Sequence, residues 1–169
     1  IAMALACEPD ILIADEPTTA LDVTIQAQIL ELMQDLQKKL GMAVILVTHD
    51  LGVIADMCDE IIVMYGGRIC ERGTAREIFY NPKHEYTKGL LRSIPNVNNM
   101  KKKLVPIAGT PINMLNLPAG CAFCTRCDAA MKICLEEHPE EMTINENHKA
   151  SCWINVRDQL MQKGGEENV

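Results

Sequence analysis

The stretch Ile11-Leu12-Ile13-Ala14-Asp15-Glu16-Pro17 decides the fold of this chain, because an apolar run ends there at two adjacent carboxylates and a proline. A continuous apolar run of this kind predicts a strand buried on both faces, as in a parallel sheet. Pro17 cannot donate to a sheet ladder, so the strand must end before it. Asp15 and Glu16 are therefore predicted at the carboxyl end of a central strand, where open α/β sheets form their ligand crevice.

A second apolar run, residues 43–47, ends in Thr48-His49-Asp50. Between the two runs, residues 23–40 carry apolar side chains at helical spacing, which predicts an amphipathic helix. The order strand, helix, strand predicts a right-handed crossover and two parallel strands. If the two strands are close in the sheet, their carboxyl ends lie at one edge, and we then expect His49 to lie with the two carboxylates.

Composition limits the classes of protein that this chain can be. With 169 residues, 48% of them hydrophobic and 23% charged, it fits one globular domain with a small appendage. A net charge of −7 argues against a nucleic-acid surface, and the run Lys101-Lys102-Lys103 is interpreted as a solvated linker. No stretch approaches the ~20 apolar residues that span a bilayer. The chain starts at Ile1 inside an apolar helical pattern, so we expect it to be part of a longer protein.

The rest of the chain predicts a hairpin, several short helices and an irregular tail. The predicted elements are helices over 51–57, 75–80, 84–92 and 153–161 and strands over 60–64 and 68–71. Proline recurs and periodicity fades beyond Pro95, so we place a boundary there. Residues 1–95 are predicted as the α/β domain and residues 96–169 as a small, irregular, Cys-rich extension, with a disordered end after Gly164.

Three motifs in register identify a family resemblance. The segment Leu12-Ile13-Ala14-Asp15-Glu16-Pro17 resembles the Walker B motif of ABC-type ATPases, and Thr19-Ala20-Leu21-Asp22 resembles their D-loop. His49 falls where that family has its switch histidine. The resemblance implies that the first part of the chain is the C-terminal part of a P-loop ABC-type ATPase domain, with ATP and Mg²⁺ as cofactors.

The resemblance also implies a role for each polar residue at the strand ends. Asp15 would hold Mg²⁺ through water, because this ion keeps much of its hydration shell. Glu16 would orient or deprotonate the attacking water, and we expect burial and the neighbouring Asp15 to raise its pKa. His49 would contact the γ-phosphate. Asp22 would lie at an interface between two subunits, although its position before a helix is equally well explained by an N-cap.

Three other parts of such an ATPase are missing from this sequence. There is no G-x-x-x-x-G-K-[ST] loop to hold phosphates, no Q-loop and no signature motif. In the family these parts precede Walker B, so we expect them upstream of Ile1. We therefore predict that this polypeptide hydrolyses no detectable ATP by itself.

The tail narrows the resemblance to one branch of the family. The segment His84-Glu85-Tyr86-Thr87 resembles the His-Pro-Tyr-Thr segment of oligopeptide and dipeptide importers, with Glu85 in place of the usual proline. The cysteines that recur in the C-terminal extension of those importers match Cys121, Cys127, Cys134 and Cys152. Cys124 departs from that pattern and is a fifth candidate.

Clustered cysteines in a reduced compartment favour a metal site over disulfides. Four thiolates from one irregular segment suit either Zn²⁺ or a [4Fe–4S] cluster, and the resemblance favours the cluster. Free thiols in a small core remain an alternative. The other three cysteines, Cys7, Cys58 and Cys70, are predicted to be small core residues, and His138 and His148 to be surface or turn residues.

The leading functional prediction is the energy-coupling subunit of a peptide importer. The resemblance implies a second ATP-binding subunit, two transmembrane permease subunits, an extracytoplasmic peptide-binding protein, and a position on the cytoplasmic face of the membrane. Two other classes stay open: a soluble ABC ATPase of repair or translation, and a non-enzymatic metal-binding or interaction module formed by the tail.

Overall fold

A computed structural model describes residues 2–94 and 105–166, with side chains as far as Met161. Two compact units make up the chain, Ile1–Cys58 and Asp59–Val169. The first unit holds α1 (Ala2–Leu5), β1 (Ile11–Asp15), α2 (Val23–Leu40), β2 (Ala43–Val47) and α3 (Leu51–Met57). The second holds β3 (Glu60–Tyr65), β4 (Arg68–Thr74), α4 (Ala75–Tyr80), α5 (Glu85–Arg92), α6 (Ile133–Glu136), β5 (Met142–Asn145), β6 (His148–Ala150) and α7 (Trp153–Glu166).

The first unit confirms the predicted crossover. Strands β1 and β2 pair in parallel from Ile11 opposite Ala43 to Asp15 opposite Val47, and α2 connects them. Helix α2 begins where the side chain of Asp22 accepts hydrogen bonds from the backbone of Thr24 and Ile25, so the N-cap interpretation of Asp22 is confirmed. Gly41 ends α2 with a φ of 66°, a left-handed conformation that favours glycine.

The prediction that β1 is buried on both faces is wrong. Leu12 and Ala14 pack in the core with Met33 and Met42, while the alternate residues Ile11 and Ile13 are 58% and 67% exposed. Within the described residues, the helices of this unit cover only one face of its two-stranded sheet. Because every residue of the run is apolar, the sequence alone could not show that one face of β1 is buried and the other exposed.

The second unit contains a larger sheet than the sequence predicted. The predicted hairpin β3–β4 is present, and β6 and β5 extend it in the antiparallel order β3-β4-β6-β5. Strands β5 and β6 are only four and three residues long, too short for a recognisable alternation of apolar and polar side chains. The predicted terminal helix is confirmed and reaches Glu166, beyond the predicted start of disorder at Gly164.

An aromatic cluster forms the core of the second unit. The ring of Tyr65 lies 4.7 Å from that of Tyr86 and 5.3 Å from that of Phe123, between ring centroids. Arg126 donates to the carbonyl oxygens of Ile107 and Ala108 and to the Tyr65 hydroxyl, so it holds the segment that follows residue 104 against this core. These contacts join the end of the predicted ATPase part to the tail.

The boundary predicted near Pro95 falls on residues 95–104, which lie outside the described part of the chain. The division at residues 58 and 59 separates the crossover from the hairpin instead. Among the helices of the described residues, none combines the length and the hydropathy needed to cross a bilayer.

Candidate functional site

The structure brings Glu16 and His49 together at the carboxyl ends of β1 and β2. The Nδ1 atom of His49 lies 3.0 Å from the Oε1 atom of Glu16. The backbone N–H of Glu16 donates to the carbonyl oxygen of Val47 at 2.8 Å, which extends the parallel ladder by one bond beyond Asp15. The side chain of Glu16 is 45% exposed and that of His49 is 80% exposed, so both are accessible to a ligand.

A constrained loop orients the Glu16 carboxylate. Glu16 has a φ of 44° and Ala20 a φ of 65°, positive values that non-glycine residues rarely adopt and that cluster at functional sites. The hydroxyl of Thr19 donates to Oε2 of Glu16 at 2.9 Å, and the backbone N–H of Thr19 donates to the Glu16 carbonyl oxygen. The carboxylate is therefore held by Thr19 on one oxygen and by His49 on the other.

The expectation of a raised pKa for Glu16 is wrong. The hydrogen bond from Thr19, followed by the hydrogen bond and charge of His49, holds the pKa of Glu16 below its ordinary value. Burial, which was expected to raise the pKa, is too slight to oppose these two donors. Glu16 is thus ionised at neutral pH and can accept a proton from water.

Asp15 and Asp22 take separate positions around this pair. Asp15 is the last residue of β1 and is exposed, next in sequence to Glu16. The carboxylate of Asp22 is occupied by its two backbone donors at the start of α2, at 3.1 Å and 3.0 Å. An exposed carboxylate beside the pair suits a water-mediated Mg²⁺ ion, which proteins usually bind through one or two carboxylates and the phosphates of a substrate.

Sequence reasoning missed a contact that positions this edge. Asp50 caps α3 by accepting from the backbone of Gly52 and Val53, and its other oxygen accepts from the side-chain amide of Gln26 at 3.2 Å. Gln26 lies in the first turns of α2, so this bond ties the starts of α2 and α3 together beside His49. Nothing in the sequence indicated Gln26 as the partner of this cap residue, because the two lie 24 residues apart.

The five cysteines of the tail line a single cavity of about 20 Å³, with room for about one water molecule. The side chains that complete its wall include His84 and Glu85 at the start of α5 and Trp153 at the start of α7. The cysteines are Cys121, Cys124, Cys127, Cys134 and Cys152, all of them free thiols. The structure therefore collects at one place the four residues predicted as ligands and the fifth candidate; we call this place the thiol cavity.

Tight backbone turns create the thiol cavity. The backbone N–H of Cys124 donates to the carbonyl oxygen of Cys121, and that of Cys127 donates to Cys124, so successive turns face the cysteines inward. The backbone N–H of Cys121 also donates to the carbonyl oxygen of Cys134 at 2.8 Å. A Cβ atom at Gly120 would collide with that carbonyl oxygen, so only glycine allows this approach.

The thiol cavity favours protonated thiols in the protein without metal. Burial raises the pKa of Cys121 and of Cys127 to about 11, and burial shifts Cys124 and Cys152 in the same direction. Within the described residues, no three His, Cys, Asp or Glu side chains are grouped closely enough to hold a metal ion. The five thiols are the type of donor that a thiolate-ligated metal needs, but their present spacing does not form a site, so binding requires the thiols to lose protons and move together.

The structure corrects the expectation for two further side chains. His148 was predicted as a surface or turn residue, and its side chain is fully buried, because the unpredicted strand β6 places it against β4. Cys7, predicted as a core residue, is exposed because α1 contributes no buried residue to the first unit. Cys70 is buried as predicted, and His138 is intermediate in exposure.

A buried network joins His148 to His84, two residues that sequence reasoning did not connect. The Nε2 atom of His148 lies 2.6 Å from Oε1 of Glu71, which is also fully buried. On its other side, Nδ1 of His148 lies 3.2 Å from Oε2 of Glu77. Glu71 further accepts the backbone N–H groups of Lys83 at 2.6 Å and of His84 at 2.9 Å. One carboxyl group thus joins β4, β6 and the start of α5.

Comparisons with known proteins match two separate parts of the chain to two families. Residues 70–134 match the family described as "Oligopeptide/dipeptide transporter, C-terminal region". Residues 1–55 match the family described as "AAA domain, putative AbiEii toxin, Type IV TA system". The two matches together include both the Glu16–His49 pair and four of the five tail cysteines.

Curated relatives cover nearly the whole chain. The dipeptide transport ATP-binding protein DppD of Bacillus subtilis is 53% identical over 154 residues, which are 91% of this chain and 46% of that protein. The oligopeptide transport ATP-binding protein OppD of Haemophilus influenzae is 50% identical over 156 residues, 92% of this chain and 48% of that protein. The chain spans about half the length of the curated relatives it matches.

Proposed function

Since the chain belongs to the family of ATP-binding proteins of oligopeptide and dipeptide ABC transporters, we propose that it forms part of the subunit that hydrolyses ATP to drive peptide import. The observation that carries this proposal is the contact of Glu16 with His49 at the carboxyl ends of two parallel strands. An ionised carboxylate and an imidazole, both exposed, are the groups that hydrolysis of a terminal phosphate needs.

The geometry supports a proposed role for each side chain in that reaction. Glu16 accepts a proton from the attacking water or orients it, because its carboxylate is ionised and fixed by Thr19. His49 would donate toward the γ-phosphate through Nε2, which requires a proton on both ring nitrogens because Nδ1 donates to the Glu16 carboxylate. Asp15 would hold Mg²⁺ through water, and this ion would neutralise charge on the phosphates of bound ATP.

The assembly follows from the family. We propose a second ATP-binding subunit as the partner of this one, with Asp22 near their interface. Two transmembrane permease subunits would hold the pair at the cytoplasmic face of the membrane, and an extracytoplasmic peptide-binding protein would deliver the peptide. The names of the relatives include both dipeptide and oligopeptide transport, which supports short peptides as the solute class.

Uptake by the assembled transporter tests the proposal. We expect membrane vesicles that contain the full-length subunit and its permeases to accumulate labelled di- to pentapeptides with ATP, and His49→Ala to reduce this uptake on the order of a hundredfold, because one donor to the γ-phosphate is lost. A matched control is His138→Ala, which removes a histidine outside the first unit. Robust ATP hydrolysis with no peptide uptake would instead favour a soluble ABC ATPase.

We further propose that the thiol cavity holds a [4Fe–4S] cluster through Cys121, Cys127, Cys134 and Cys152, with Zn²⁺ as the alternative. The convergence of five free thiols on one cavity supports this proposal. Bound metal would supply the folding free energy that a tail with few apolar anchors lacks. The cluster would be structural or redox-active, and Cys124 is a substitute ligand.

Anaerobic purification tests the ligand set. We expect about four iron and four sulfide per chain and a broad visible absorption, all reduced strongly by Cys134→Ser because one of four ligands is lost. The control is Cys7→Ser, which removes an exposed thiol of the first unit. A colourless protein with one zinc per chain would show that the cysteines bind Zn²⁺ and not a cluster. A metal-free protein would show that they are free thiols of a small core.

A further inference from the structure

The ring of His84 reaches from the start of α5 to the thiol cavity. His84 is the N-cap of α5, and its Nδ1 atom accepts the backbone N–H of Tyr86 at 3.0 Å. An acceptor nitrogen carries no proton, so the neutral ring must carry its proton on Nε2. The helix cap therefore fixes the tautomer of this histidine and leaves one N–H group to be satisfied elsewhere.

That N–H group faces a sulfur. The Nε2 atom of His84 lies 4.0 Å from Sγ of Cys121, a long N–H···S contact. His84 is only 3% exposed, and its ring lies 6.0 Å from that of Phe123 between centroids, so an apolar wall separates it from solvent. Because the ring has no access to bulk water, the sulfur is the acceptor that the geometry offers to Nε2.

The backbone of His84 is held as firmly as its ring. Oε2 of the fully buried Glu71 accepts the His84 backbone N–H at 2.9 Å, while Oε1 accepts that of Lys83 at 2.6 Å. Glu85, next in sequence, pairs with Lys88 at 2.7 Å on the same helix. The start of α5 is thus anchored on both sides of the residue that faces the thiol cavity.

We propose that His84 is a positioning residue for the thiol cavity. Its Nε2–H group donates a hydrogen bond to the sulfur of Cys121, and this bond raises the reduction potential of a cluster bound there. The proposal rests on the cysteine ligand set proposed above. Hydrogen bonds to ligand sulfurs stabilise the more electron-rich state of an iron–sulfur centre, which makes the centre easier to reduce. It gives the histidine of the His-x-Tyr-Thr segment a role separate from the ATPase site.

Two variants separate the cap from the sulfur contact. Asn at position 84 keeps a side chain that caps helices well but is too short to reach Cys121. Gln carries its amide N–H groups further and restores a donor toward the sulfur. We expect His84→Asn to lower the midpoint potential of the iron–sulfur centre by about 59 mV, the equivalent of a tenfold change in the one-electron equilibrium, and His84→Gln to recover part of it.

The measurement is an anaerobic spectroelectrochemical titration of the purified holoprotein, with His138→Asn as the control for loss of a histidine from the same unit. Iron content and circular dichroism establish that each variant is loaded and folded. Equal potentials in wild type, His84→Asn and His84→Gln, all fully loaded, would overturn the role of His84 alone. Absence of iron and sulfide from the wild-type protein would overturn the ligand set and, with it, this proposal. In ¹⁵N spectra of the same protein, a proton on Nδ1 of His84 would also contradict it.

Discussion

Replacing Glu16 by Gln is expected to reduce steady-state ATP hydrolysis by the full-length subunit at least about a hundredfold, the typical contribution of a positioned general base. The amide keeps the shape of the carboxylate. Its oxygen can still accept from the Thr19 hydroxyl and its NH2 group can donate to Nδ1 of His49, so the constrained loop is retained. It cannot take a proton from water, so the loss falls on turnover. Phosphate release at saturating Mg-ATP is the measurement.

A matched control for this prediction is Glu31→Gln. Glu31 is an exposed glutamate of α2 in the same unit, and its replacement changes the net charge by the same amount. We expect wild-type turnover from this control. Equal losses from the two substitutions would mean that charge, and not proton transfer at Glu16, controls the rate.

Replacing His148 by Ala is expected to lower the free energy of unfolding of the second unit by about 3 kcal/mol, the upper end of the typical cost of leaving a buried polar group without its hydrogen-bond partner. His148 and Glu71 are both fully buried, and their side chains meet at 2.6 Å across 77 residues of sequence. The substitution leaves the Glu71 carboxyl group without its side-chain partner and also removes the contact between His148 and Glu77. Urea unfolding followed by circular dichroism measures the change.

Lys149→Ala provides the comparison on the same strand. Lys149 follows His148 in β6, and its side chain is 39% exposed at 3.9 Å from Glu141. Exposed ion pairs of this kind contribute less than about 1 kcal/mol. A loss for His148→Ala no larger than that for Lys149→Ala would show that the buried network does not hold β6 to β4.

Local patterns were sufficient to predict the elements that surround Glu16 and His49. The predicted spans of α2, β2 and α3 agree with the observed Val23–Leu40, Ala43–Val47 and Leu51–Met57. Helix α2 is bounded in sequence by the cap Asp22 and by Gly41, and β2 is an apolar run that ends before Thr48. Two parallel strands joined by a crossover then dictate that their carboxyl ends meet. If the two strands are close in the sheet, Glu16 and His49 share that edge; the pairing of β1 with β2 and the contact at 3.0 Å come from the structure.

What could not be predicted depends on partners far apart in the sequence. Nothing near His148 indicates that Glu71 faces it, because a three-residue strand has no recognisable period. The direction of the Glu16 pKa was likewise beyond the sequence, since it depends on exposure and on the hydroxyl of Thr19. The position of His84 on the wall of the cavity lined by Cys121 and Cys152 belongs to the same class of long-range information.

The most direct test of the central claim is a single-turnover experiment on the assembled transporter, in which bound ATP and released phosphate are counted in the same sample. If Glu16 and His49 form the site of hydrolysis, the Glu16→Gln subunit will hold Mg-ATP at wild-type occupancy and release almost no phosphate. Release of phosphate at the wild-type rate from fully occupied Glu16→Gln subunits would contradict the account.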